Sequence, residues 1–279
     1  MPFTENNGVR LHWGEAGSGT PLLLVMGHRY SSKMWYAAIP ALATGHRVIW
    51  FDNRGTGESQ TTAKVTLPQM AADALAVMDA AGVERAHIYG VSMGGAIVQE
   101  MALQQPGRVL SLIVGCSGAL TADKPRMPAF MRALYYLPPW VLKLLMSGRR
   151  GDRGYGSAAR PEAIAVDQAA LAQDKFAVKG VVAQAAAIAA YGAKRASIAG
   201  LTMPALVLHG DEDSVVPFKW GEELAQILPQ SQFVRIAGAG HNYLVAAPDT
   251  ANRAVLDFTR EVDSTTMRDP PLSATEWAR

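Results

Sequence analysis

Gly90-Val91-Ser92-Met93-Gly94 decides how this chain is read. An apolar run ending at Tyr89 leads into it, and a helix-like run from Gly95 to Leu103 follows. A serine between a strand and a helix sits on a sharp turn that exposes its hydroxyl. Glycines two before and two after it remove side chains that would collide where the helix packs on the strand. A helix starting at the serine also aims free backbone N–H groups, and the positive end of its dipole, at the same point. Such a hydroxyl becomes a useful nucleophile only with a base beside it.

The rest of the chain offers an acid and a base in a definite order. The apolar run Ala205 to Leu208 reads as a buried strand and opens into His209-Gly210-Asp211-Glu212-Asp213-Ser214-Val215-Val216-Pro217, so carboxylates lie just past a strand end. Phe233 to Ala237 reads as a further strand, followed by Gly238-Ala239-Gly240-His241-Asn242, a glycine-rich loop that can swing an imidazole inward. The order is serine, acid, histidine, unlike that of the two serine protease folds with the same chemistry. His12 reads as an edge-strand residue, His46 and His87 as loop or strand-start residues, and His209 as a neighbour of the acid loop. No histidine pair shows metal-ligand spacing with cysteine or carboxylate support.

With these residues in place, the chain from about Val9 to Val262 resembles the α/β-hydrolase superfamily. Asp52-Asn53-Arg54-Gly55-Thr56-Gly57-Glu58-Ser59 resembles that family's Asp-x-Arg-Gly-x-Gly-x-Ser turn, an architectural segment. Gly210-x-x-Asp213-x-x-x-Pro217 resembles its acid loop, which favours Asp213 as the acid and leaves Asp211 to cap or brace the loop. The resemblance implies a Ser92, Asp213, His241 triad and an oxyanion hole made by two backbone N–H groups. One is that of Met93. The other follows the third strand, Leu22 to Met26, where Met26-Gly27 replaces the family's usual His-Gly pair; by position it is the N–H of His28. A backbone donor tolerates such a side-chain change. Arg29 is a candidate substrate contact.

The implied activity is hydrolysis of a carboxylic ester or lactone of a small, largely apolar molecule through an acyl-enzyme on Ser92, with no metal or organic cofactor. Ser92-Met93-Gly94-Gly95 resembles the group containing enol-lactone hydrolases and methyl esterases. Two alternatives stand beside it: carbon-carbon cleavage of a vinylogous diketone, and a slow-turnover ligand sensor on the same fold.

Nearly half of the 279 residues are hydrophobic and the formal charge is +2, which suits a single α/β unit and gives no nucleic-acid or polybasic membrane signal. The one cysteine, Cys116, reads as a small buried side chain. Neither a signal peptide nor a spanning run is visible, so cytoplasmic residence is the expectation. A homo-oligomer is left open.

Strands are expected at Leu11 to Gly14, Leu22 to Met26, Val48 to Phe51 and Ala86 to Tyr89, with helices near Met34 to Leu42 and Gln69 to Ala81. The expected fold is a mostly parallel sheet flanked by helices, with a helical cap inserted after the sixth strand. That gives a core of residues 1–118 and 199–262, a cap of 119–198 and a polar tail of 263–279. The cap sequence carries Met127, Phe130, Met131, Tyr135, Tyr136, Leu137 and Trp140, of which Tyr136 and Trp140 are pocket candidates for an apolar substrate.

Overall fold

Apolar strands alternating with amphipathic segments require parallel strands joined by crossovers. The computed structural model has that architecture and describes residues 2–119, 154–193 and 195–268. One sheet contains β1 Phe3–Asn6, β2 Val9–Ala16, β3 Thr20–Val25, β4 His46–Phe51, β5 Ala86–Val91, β6 Val109–Gly115, β7 Ala205–Gly210 and β8 Ser231–Ile236. Their order is β1-β2-β4-β3-β5-β6-β7-β8. The β1–β2 and β2–β4 ladders are antiparallel and the remaining five are parallel.

The described helices are α1 Ile39–Leu42, α2 Leu67–Ala80, α3 Met93–Gln104, α4 Pro161–Gln173, α5 Val178–Ala190, α6 Arg195–Ala199, α7 Phe218–Ile227, α8 Tyr243–Ala246 and α9 Pro248–Arg268. Strand alternation divides the core into two layers. Leu23 and Val25 of β3 join Ile49 and Phe51 of β4 beneath α2, α3 and α7. Leu22 and Leu24 face the other way, with Val48, toward α1 and α9. A sheet covered on both faces explains why β3 reads as an unbroken apolar run.

The structure departs from the sequence reading in three places. β1 is an extra strand, so β2, which carries His12, is an interior strand rather than an edge. Its signal is the Asn7-Gly8 turn, where both residues have positive φ (49° and 74°), a favoured connection for a tight hairpin. The segment expected to be one helix from Met34 to Leu42 is a 3-10 turn, Ser32–Trp35, followed by the short α1. Finally, α9 runs on to Arg268, and Asp263, expected in a tail, accepts a hydrogen bond from His87 Nε2 at 3.0 Å.

Between β6 and β7 lie α4, α5 and α6. They are tied to the core through the Asp52–Ser59 turn, where the Gly57 N–H donates to Lys175 O at 2.8 Å and the Ala177 N–H to Gly55 O at 3.0 Å. The turn itself is held from below. Arg54 makes a two-pronged ion pair with Asp73 of α2, including Nη2 to Oδ1 at 2.6 Å, and Asn6 Nδ2 donates to the same carboxylate at 2.7 Å. Both partners are buried. Breaking a buried pair leaves an uncompensated charge and costs about 3–5 kcal/mol. Arg54→Met should therefore lower the melting temperature by roughly 10 °C, and adding Asp73→Leu should recover much of the loss; a melt unchanged in the single variant would show that the pair does not support the turn.

Candidate active site

β5 ends at Val91 and α3 begins at Met93, leaving Ser92 as the single residue of the turn, at φ 56° and ψ −119°. Its N–H donates to Gly115 O at 2.9 Å, and its carbonyl accepts from the Gly95 N–H at 3.0 Å. The flanking glycines are sterically required. A Cβ on Gly90 would lie 2.1 Å from Gly94 O, and one on Gly94 would lie 2.0 Å from Val25 O.

The loops after β7 and β8 bring the acid and the imidazole to this hydroxyl. Ser92 Oγ donates to His241 Nε2 at 3.0 Å, and His241 Nδ1 donates to Asp213 Oδ2 at 2.8 Å. Asp213 Oδ1 accepts from the N–H groups of Val215 and Val216 at 2.8 and 2.9 Å. His209, fully buried, places Nε2 3.2 Å from Asp213 Oδ2 and 3.1 Å from Val216 O. Burial alone would raise the Asp213 pKa, but the hydrogen bonds from His209, His241 and the Val216 N–H hold it well below the usual carboxylate range. For His241, burial opposes the charged form while the Cys116 sulfur and the Asp213 carboxylate favour it, and the net direction is upward. Asp211 takes the bracing position: it accepts from the Gly238 N–H at 2.7 Å and from Arg235 Nε at 2.8 Å, tying the β7 and β8 loops together.

The loop after β3 lies directly against the serine. A Cβ on Gly27 would meet Ser92 Cβ at 3.2 Å. His28 follows, and its ring Nε2 donates to Val181 O of α5 at 2.9 Å. Met93 supplies the first N–H of α3. The Arg29 guanidinium sits 5.3 Å from the centre of the Tyr30 ring and 5.2 Å from that of Phe176 in the inserted segment. Tyr136 and Trp140 lie outside the described residues.

Three sets of contacts escape a sequence reading. Cys116 is buried as expected, and its sulfur is among the groups that favour the charged form of His241. Asp167 of α4 accepts from Tyr36 OH at 3.0 Å and Tyr155 OH at 2.8 Å, and burial raises its pKa against the effect of those bonds. Gln184 of α5 bonds two core loops. The signal for all three lies in contacts between residues far apart in sequence.

At the opposite ends of the strands, His46, His87 and Asp263 bring ligand-type atoms within 4.8 Å of one another, the one such trio among the described residues. Each ring nitrogen there already has a protein partner: His46 with Thr20 O and Thr259 Oγ1, His87 with Ser111 Oγ and Asp263 Oδ1. The trio therefore reads as a brace between the sheet and α9. No described helix is long and apolar enough to cross a membrane.

Known proteins match along most of the chain. The family profile described as alpha/beta hydrolase fold matches residues 20–151, and one described as TAP-like protein matches residues 186–265. A protein of Azorhizobium caulinodans assigned as the carbamate hydrolase RutD is 30% identical over 275 residues, covering 94% of this chain and 100% of that one. A thermophilic esterase from Thermogutta terrifontis superposes with a TM-score of 0.80 at 29% identity, over 93% of this chain and 97% of the other. The enol-lactonase from Burkholderia xenovorans LB400 shares the fold, with a TM-score of 0.81 at 23% identity over 93% and 100% of the two chains. By its sheet order, its strand-turn-helix serine and a relative matched over its full length, this chain belongs to the α/β-hydrolase superfamily.

Proposed function

We propose that the protein is a serine hydrolase of carboxylic esters or lactones of small, largely apolar molecules, acting through an acyl-enzyme on Ser92. The observation that carries this reading is the unbroken chain from Ser92 Oγ through His241 to Asp213, at 3.0 and 2.8 Å. Ser92 Oγ attacks the carbonyl carbon while its proton passes to His241 Nε2. The tetrahedral oxyanion is held by the N–H groups of Met93 and His28. His241 then returns the proton to the departing alkoxide, leaving an acyl ester on Ser92. Water repeats the sequence, with His241 as base, and releases the acid. Asp213 keeps its charge throughout, fixing the imidazole tautomer and stabilising the imidazolium.

The inserted helices act as a cap in this reading, and the aromatic residues among 127–140 favour an apolar substrate group. The relative assigned to carbamate hydrolysis favours one second reading, the same acyl transfer to Ser92 from a carbamate carbonyl.

Release of nitrophenol from acetyl, butyryl and octanoyl esters tests the proposal. Ser92→Ala should lower kcat/KM at least about 1000-fold, judged from the loss of a triad member in other serine hydrolases. Equal rates in the two proteins would sink the reading. A nitrophenyl carbamate in the same assay separates the second reading: sustained turnover favours it, and a single burst favours ester chemistry.

The pH profile follows from the sign of the His241 shift. Only neutral imidazole can take the serine proton, and this pKa is raised from 6.5. The rate should therefore fall on acidification, with the acid-limb midpoint of kcat/KM above 6.5. A midpoint at or below that value would contradict the upward pull of the neighbouring groups.

A further inference from the structure

Resting on the serine hydrolase reading, we propose that Gln184 of the inserted helix α5 is a positioning residue for the oxyanion site. It holds the Gly27–Arg29 loop in the shape that presents the His28 N–H to the developing oxyanion.

Gln184 is fully buried, and both ends of its amide face backbone. Oε1 accepts from the Arg29 N–H at 2.9 Å, while Nε2 donates to Arg54 O at 2.7 Å. A donor at one end and an acceptor at the other fix the amide orientation without ambiguity. One side chain thus joins the loop after β3 to the turn after β4. Three residues earlier on the same helix, Val181 O accepts from His28 Nε2 at 2.9 Å. Residue 28 is therefore gripped on both sides by α5, through its own ring and through the next peptide.

The loop needs such a grip. Arg29 sits at φ 79°, a left-handed conformation that side-chain-bearing residues adopt only when their surroundings impose it. The helix is seated firmly enough to impose it. At its first turn Gly180 touches Gly55 backbone to backbone, so closely that a Cβ on Gly180 would fall 2.4 Å from Gly55 Cα. Phe176, just before the helix, forms a strand-like bridge with Thr56. Removing the amide would take away the acceptor of the Arg29 N–H and the donor to the Arg54 carbonyl, and the loop would relax away from this shape. With the amide in place, the substrate-covering insertion and the oxyanion donor form one mechanical unit.

The test compares wild type with Gln184→Met, which keeps the shape and loses both hydrogen bonds. Its first readout is kcat and KM on the best nitrophenyl ester. Its second is the inhibition constant of an aryl trifluoromethyl ketone, whose serine adduct carries its oxyanion in the same place. Loss of a whole oxyanion donor costs about 100-fold to 1000-fold, so misplacing one should lower kcat about 10-fold to 100-fold. KM should stay within about 2-fold, because ground-state binding is not what the donor supplies. Ketone affinity should weaken in step with kcat. Unchanged kcat and ketone affinity, or a raised KM at constant kcat, would overturn the proposal by reducing α5 to a pocket wall. If Gln184→Met does not fold, His28→Phe cuts the other grip, with the same losses expected and unchanged kcat again overturning the proposal. Ser92→Ala is run alongside: if it keeps wild-type turnover, the hydrolase reading itself fails and the clamp falls with it, whereas an inactive Ser92→Ala beside an unaffected Gln184→Met overturns the clamp alone.

Discussion

Everything at this site depends on one backbone conformation, that of Ser92 at φ 56° and ψ −119°. Such a conformation costs a residue with a side chain about 1–3 kcal/mol and persists only when its surroundings over-determine it. Here the neighbouring strand takes the Ser92 N–H, the first turn of α3 takes its carbonyl, and the flanking glycines allow backbone contacts that no side chain would permit. The reward is position. The hydroxyl stands at the carboxyl edge of the sheet, where the loops from β3, β7 and β8 converge, with the N-terminus of α3 behind it.

Burying a carboxylate is costly unless its lone pairs are met, and Asp213 is met on every side. Two backbone N–H groups serve one oxygen, while His241 and His209 serve the other. His209 can play this part because its opposite nitrogen, Nδ1, has no hydrogen-bond partner and faces the backbone of Gly221. The proton therefore belongs on Nε2, facing the acid. Gly221 leaves room for that ring: a Cβ there would come within 2.4 Å of His209 Nδ1. A second imidazole thus helps keep the acid ionised without competing for the serine proton.

The parts of this design that were legible in the sequence are those written locally. Gly90 and Gly94 mark the serine turn because the collisions they avoid occur within five residues. Asp213 and His241 follow strand ends, and β3 declares itself by an apolar run that only a doubly covered sheet can bury. The hairpin Asn7-Gly8 was equally local, but the strand before it, Phe-Thr-Glu-Asn, has no apolar run and buries little, so the turn was the one trace that β1 left in the pattern. Gln184 was illegible for a different reason. In the alanine-rich run from Pro161 to Ala196 it looks like any polar residue on a helix, and its meaning comes from partners 155 and 130 positions away. The same holds for Asp167, whose tyrosine partners are 131 and 12 residues distant.

Strand order explains why a helix inserted after β6 reaches the loop after β3 at all. β3 lies between β4 and β5, so the loop at its end is flanked on one side by the Asp52–Ser59 turn and on the other by Ser92. Asn53 Nδ2 donates to Met26 O at 2.9 Å from the first side, and Gly27 meets Ser92 on the second. Asp52 extends the hold, accepting from the Ser32 N–H at 2.8 Å and from its hydroxyl at 2.7 Å. The helix α5, docked on the Asp52–Ser59 turn through Gly180 and Gln184, also meets the N–H of Arg29 and the ring of His28. The turn that reads as merely architectural in the sequence is the platform from which the insertion reaches the chemistry.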